Sequence, residues 1–225
     1  TAVVTFEPGS SVAGERCFEA NREGTSPTAN LNPVSGRSRA KQGQRVFVAL
    51  DPPISLRAEV EAWARHVARS TTGLRVVPAR NLHVTLAFLG DRSGSEIDLI
   101  TEAVRECATD TGGLSLGAPL WLPRRRPRSL TLEIHDDRGE LSDQQATLAR
   151  RLREELGWDE GRPYRPHLTA ARTSRSFEAG GLRLPVSPSF GFEAESVSLY
   201  RSHLGPDGAE YEALVKVPLG PGAGW

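Results

Sequence analysis

The sequence predicts an α+β fold built as two related lobes. Three observations support this. β-favouring runs alternate with amphipathic helical stretches, the strand, helix, strand order occurs roughly twice, and each occurrence surrounds one of two similar tetrapeptides, His83-Val84-Thr85-Leu86 and His167-Leu168-Thr169-Ala170. With 225 residues, 38% of them hydrophobic, the chain can bury a real core as one domain or two small lobes.

The elements follow in order. Residues 1–44 are rich in Gly, Ser, Pro, Asn and Arg, with apolar residues scattered singly, and are expected to be a disordered extension. Its basic run of Arg37, Arg39 and Lys41, continuing to Arg45, reads as a solvated linker. The folded domain is expected over 45–219, with 220–225 a flexible tail. It opens with a strand over Arg45 to Leu50, closed by Asp51-Pro52-Pro53, because proline cannot continue strand pairing. Leu56, Val60, Trp63 and Val67 recur at helical spacing and predict a helix from Ser55 to Arg69. Strands follow over Leu74 to Pro78 and Leu82 to Leu89.

Ser93 with Glu96 is a capping box that starts the next helix, whose apolar stripe of Ile97, Ile100, Ala103, Val104 and Cys107 makes Cys107 a core residue. Strands over Leu114 to Leu122 and Ser129 to Ile134 precede a third helix carrying Leu141, Leu148, Leu152 and Leu156. Strands near His167 to Arg172, Ser196 to Tyr200 and Tyr211 to Val217 complete the chain.

Composition excludes several functions. Lys+Arg and Asp+Glu both number 28, so nucleic-acid affinity must come from a local basic patch, and a protein that coats polyanions is excluded. Cys17 and Cys107 give no disulfide framework and no cysteine-rich metal site. The histidines lack the close spacings of a zinc site, so neither metal nor cofactor is expected. The chain has no apolar run near the ~18 residues of a membrane span and no signal-like start, and a cytoplasmic location is expected.

The tetrapeptides carry the chemistry. On a strand of period two, His and Thr share one face while Val84 and Leu86, or Leu168 and Ala170, turn into the core. Only ~0.3 matches to His-x-Thr are expected by chance, so two in strand-like settings, one in each half, point to a site. An imidazole and a hydroxyl are presented together twice.

Four ordered blocks then carry a resemblance. They are the opening strand, Asn81-Leu82-His83-Val84-Thr85-Leu86-Ala87-Phe88-Leu89-Gly90, Tyr164-Arg165-Pro166-His167-Leu168-Thr169-Ala170-Ala171-Arg172, and the closing pair Leu199-Tyr200-Arg201-Ser202 and Gly205-Pro206-Asp207-Gly208 leading to Tyr211. Over Arg45 to Leu219 the chain resembles the two-histidine phosphoesterases, in particular the RNA 2′,3′-cyclic phosphodiesterases long described as 2′-5′ RNA ligases. The resemblance implies pseudo-symmetric lobes, each an antiparallel sheet with helices packed outside, and one His-x-Thr from each facing the other across a central cleft. It implies a metal-free opening of the cyclic phosphate to a 2′-phosphomonoester, with His83 the proton donor to the leaving 3′-oxygen and His167 the base that activates water. Thr85 and Thr169 would donate to the non-bridging oxygens.

Arg128 and Arg172, nearest the strands that the resemblance directs toward the cleft, are the expected phosphate contacts, and Tyr164 is the candidate for stacking on a base. The substrate is expected to be an RNA end or a small cyclic nucleotide, and the chain a monomer. Thr131 replaces an aromatic residue common in the family, which leaves nucleobase preference open. His66, His135 and His203 read as surface or loop histidines. Two alternatives stay open: ligation at the same site, which is the reverse reaction, and non-catalytic nucleotide binding.

Overall fold

The structure, a computed structural model, describes residues 43–179, 182–189, 191–205 and 208–220. The expected extension over 1–44 lies outside the described residues apart from Gly43 and Gln44, as does the expected tail after 220.

Within them the chain forms β1 (Gln44–Asp51), α1 (Ile54–Arg69), β2 (Leu74–Val76), a 3-10 turn (Ala79–Asn81), β3 (Val84–Arg92) and α2 (Gly94–Cys107). It continues through β4 (Leu114–Leu122), β5 (Ser129–His135), α3 (Glu140–Leu156), β6 (His167–Thr173), β7 (Gly191–Phe192), β8 (Ser196–Gly205) and β9 (Gly208–Pro218). The fold is α+β. All strands join one antiparallel nine-stranded sheet in the order β7-β4-β5-β6-β3-β1-β8-β9, with β2 added on β6.

The two lobes are the two halves of this sheet. One half is β3, β1, β8 and β9; the other is β6 with β2, β5, β4 and β7. Between β3 and β6 only Val84 pairs with Leu168, one residue beyond each histidine. The seam of the fold therefore runs between the two tetrapeptides.

Helices cover the apolar faces. Leu56, Val60, Trp63, Ala64 and Val67 of α1 are buried toward β2 and β6. Helix α2 packs on α3 and β8 and starts with the expected capping box, in which the Ser93 amide donates to Glu96 Oε2 at 2.8 Å and Ser93 Oγ accepts from the Glu96 amide at 3.4 Å. These bonds hold the Glu96 carboxyl down at about 2. Cys107 is buried as expected, and burial pushes its thiol up to about 12, so it packs and does not react. Helix α3 ends at Gly157, whose φ of 63° lets its amide reach the Arg153 carbonyl at 3.0 Å.

Two β-bulges decide which side chains reach the seam. Val48 pairs with Ala87 and Ala49 with Thr85, so Leu86 is an extra residue; Leu130 pairs with Ala171 and Thr131 with Thr169, so Ala170 is the equivalent extra residue. A bulge reverses the alternation beyond it, which brings the fifth residue after each histidine, Phe88 and Arg172, to the face of the threonines. The carbonyls freed at the bulges are satisfied. Gln145 Nε2 of α3 donates to Leu86 O at 3.3 Å, and the Val77 amide donates to Ala170 O at 2.9 Å.

Candidate active site

Both tetrapeptides show the expected alternation: His83, Thr85, His167 and Thr169 are half-buried, while Val84, Leu86, Leu168 and Ala170 are buried. The four polar residues line one cavity of about 120 Å³ together with Asn81, Phe88, Arg172 and Tyr211. Neither threonine hydroxyl is engaged by another described residue, so both are open to a ligand in this cavity.

The histidines are held alike. Nδ1 of His83 bonds to the Asn81 carbonyl at 2.8 Å, and Nδ1 of His167 bonds to the Arg165 carbonyl at 2.8 Å. A carbonyl only accepts, so Nδ1 carries the hydrogen in both rings and Nε2 is left for proton transfer. Asn81 is itself tied down, its Nδ2 donating to Ala209 O at 2.7 Å on β9.

Their surroundings differ. His83 lies 4.9 Å from the Phe47 ring and 5.4 Å edge-on from Tyr211, with Tyr200 behind them. Burial in this aromatic pocket pulls its pKa down to about 4, although the Asn81 carbonyl and the Asp51 carboxylate favour the charged ring; Arg172 and His167 oppose it. Asp51 is buried and accepts hydroxyls of Ser196 at 2.6 Å, Ser198 at 2.6 Å and Tyr200 at 2.8 Å. Among the described residues no aromatic ring stacks on His167. Beside it, Arg165 reaches Glu133 at 3.0 Å.

The remaining expected residues divide. Arg172 lines the histidine cavity, and Arg128 lines an adjoining one of about 690 Å³ that shares Phe88, Arg172 and Tyr211 with it. Tyr164 is not brought there: it packs against the core with its hydroxyl buried and unpartnered, and burial, then the charge of Asp136, raises its pKa. A tyrosine preceding Arg165-Pro166 carries no signal for which way the turn will aim it. Thr131, which stands where the family often has an aromatic residue, is buried with Oγ1 donating to Leu120 O at 3.1 Å. His203 lies on β8 against Glu212 at 3.0 Å, a strand residue and not the expected loop histidine.

Phe88, Phe47, Tyr211 and Asp51 were invisible as site residues in the sequence. Phe88 is 56% exposed, unusual for such a ring, and the signal that finds it is the bulge, not the motif. Among the described residues no group of three or more His, Cys, Asp and Glu side chains is placed to hold a metal ion, and no helix is long and apolar enough to cross a membrane.

A curled antiparallel sheet whose seam carries paired His-x-Thr segments defines the two-histidine phosphoesterase class. Within it, the chain belongs to the 2′-5′ RNA ligase superfamily, whose family profile matches residues 52–206. An RNA 2′,3′-cyclic phosphodiesterase of Thermus thermophilus is 30% identical over 190 residues, covering 78% of this chain and 90% of that protein. One of Archaeoglobus fulgidus is 29% identical over 174 residues, covering 76% and 97%. Among solved structures, a protein of Thermus thermophilus matches with TM-score 0.65 and 28% identity, over 76% of this chain and 96% of that one. LigT of Escherichia coli complexed with NADP+ matches with TM-score 0.65 and 26% identity, over 79% and 98%.

Proposed function

We propose that this chain is an RNA 2′,3′-cyclic phosphodiesterase, opening the cyclic phosphate at an RNA end to a 2′-phosphomonoester by acid and base catalysis from its two histidines, without a metal. The observation that supports this most is the convergence of His83, Thr85, His167 and Thr169 on one small cavity. Opening a cyclic phosphate is an in-line displacement, so a base for water and an acid for the departing oxygen must stand on opposite sides of phosphorus. The seam of the sheet offers one imidazole from each half. Thr85 and Thr169 donate to the non-bridging oxygens as their charge rises.

In this reading His167 draws the proton from water and His83 protonates the 3′-oxygen. His83 is neutral at pH 7 in the free protein, since its pKa is about 4. It acquires its proton with the substrate, whose phosphate anion adds negative charge beside the ring. The same lowered pKa favours a second reading in which the roles are exchanged, with neutral His83 as the base. A cavity of about 120 Å³ accepts the cyclic phosphate but not a whole nucleotide, for which ~300 Å³ or more is usual, so the base extends past Phe88 into the adjoining space. Stacking there fits an exposed ring. NADP+, with which the Escherichia coli relative was crystallised, carries an adenosine 2′-phosphate, the same kind of end as the proposed product.

The test is incubation with a nucleoside 2′,3′-cyclic phosphate in EDTA and identification of the product. A single 2′-phosphate isomer is expected. A product joined through a 2′-5′ linkage when 5′-hydroxyl RNA is added would favour ligation, and binding without turnover would leave a nucleotide-binding protein.

A further inference from the structure

Several arginines near the seam have no carboxylate partner among the described residues. Away from the seam, Arg57, Arg65, Arg92, Arg105, Arg151 and Arg201 each face a carboxylate. Around it, Arg45, Arg125, Arg126, Arg128, Arg172 and Arg175 make no ion pair with any described residue. Arg69, Arg80, Arg124, Arg162 and Arg183 also lack an ion pair among the described residues; what sets the group around the seam apart is that its members line connected cavities.

They form a track. Arg172 lines the histidine cavity and the adjoining one, Arg45 and Arg128 line that second cavity, and Arg128 continues into a third of about 510 Å³ lined by Arg125, Arg126 and Arg175. Glu178 is the one carboxylate on the third cavity, against four guanidiniums. The backbone beneath is fixed: the Arg128 amide donates to Leu122 O at 2.8 Å, the Thr173 amide to Arg128 O at 3.0 Å, and Thr173 Oγ1 to Pro127 O at 2.7 Å. The arginine turn is therefore pre-organised, which lowers the cost of binding an extended anion.

We infer that the groove of Arg125, Arg126, Arg128 and Arg175 is a second binding site, for the phosphodiester backbone of the RNA strand upstream of the cyclic end. The inference rests on the phosphodiesterase reading only for the end of the strand; the groove itself recognises repeated phosphates. It makes an oligoribonucleotide, not a mononucleotide, the preferred substrate.

The test compares wild type with an Arg125→Gln/Arg126→Gln/Arg175→Gln variant, in which three exposed side chains without described partners are changed. One readout is affinity for a hexaribonucleotide ending in a 2′-phosphate, across a salt series. The other is the ratio of kcat/KM on the cyclic-ended hexamer to that on the cyclic mononucleotide. Loss of three phosphate contacts is expected to lower the salt slope by about 2 and affinity by about a hundredfold near ~0.1 M salt, and to collapse the ratio. Unchanged affinity and slope, or an equal loss on both substrates, would overturn the groove. If wild type turns over neither substrate while affinity still depends on these arginines, the groove stands and the phosphodiesterase reading falls.

Discussion

The two His-x-Thr segments are alike in every local respect and unlike in what surrounds them. Each histidine bonds through Nδ1 to the carbonyl two residues before it, each threonine precedes a bulge, and each bulge brings the fifth residue after the histidine to the cavity. That residue is Phe88 in one half and Arg172 in the other. One half walls its imidazole with Phe47 and Tyr211; the other brings Arg172 to the shared cavity. The motif supplies two imidazoles held alike, and the walls make them inequivalent. A reaction that needs one imidazole protonated and the other neutral requires that difference.

The largest expected effect removes the carriers themselves. His83→Ala or His167→Ala should each lower turnover by ~10² to 10⁴, with product binding retained in a direct titration. Near wild-type single-turnover rates in either variant would remove that histidine from the chemistry.

The aromatic wall has a consequence for stability. His83 titrates near 4 in the folded chain against 6.5 ordinarily, so between those values the unfolded chain binds more protons. The penalty is absent above 6.5, grows as pH falls, and is complete below about 4, where it reaches about 3 kcal/mol. His83→Asn should flatten the loss of stability over that window in denaturant titrations. An unchanged pH slope would mean the ring is not held neutral by burial. Tyr211→Ala opens the same wall and should raise the His83 pKa, read by NMR.

Thr85→Val and Thr169→Val should each reduce kcat by about 10² and affect KM less, because the lost bonds matter most as the oxygens gain charge. A rise in KM alone would make these threonines binding groups. The smallest effect is at Phe88: Phe88→Ser should raise KM roughly tenfold through lost stacking, with kcat little changed. An unaltered KM would place the base elsewhere.

Much of this was legible in the sequence because it is local. The period of α1, the Ser93 to Glu96 capping box and the polar alternation of the tetrapeptides each specify themselves within a few residues, and the structure keeps them within one or two positions. What escaped was set by pairing over distance. β7 is only Gly191–Phe192, defined by partners at Leu114 and Ser115, and has no alternation of its own. Phe88 reads as another core position after Val84 and Leu86 until the bulge at Leu86 is known. Tyr164 lies away from the histidine cavity for the converse reason: a turn next to a strand looks like a rim residue, yet here it packs against the core. Asp51, which appeared only as a strand terminator, is drawn into the site by three hydroxyls roughly 150 residues away in sequence.

The assignment of different tasks to the two halves is tested most directly by a leaving group that needs no proton. Rates of His83→Ala and His167→Ala would be measured in EDTA on a ribonucleoside 2′,3′-cyclic phosphate and on a nitrophenyl phosphodiester, whose departing oxygen leaves as a stable anion. Both variants should fail on the cyclic phosphate, and only His83→Ala should recover most of its activity on the nitrophenyl ester, because the acid is then dispensable and the base is not. Recovery by His167→Ala instead would contradict the assignment and exchange the roles. Activity that vanishes on chelation and returns with added metal would contradict the two-histidine mechanism altogether.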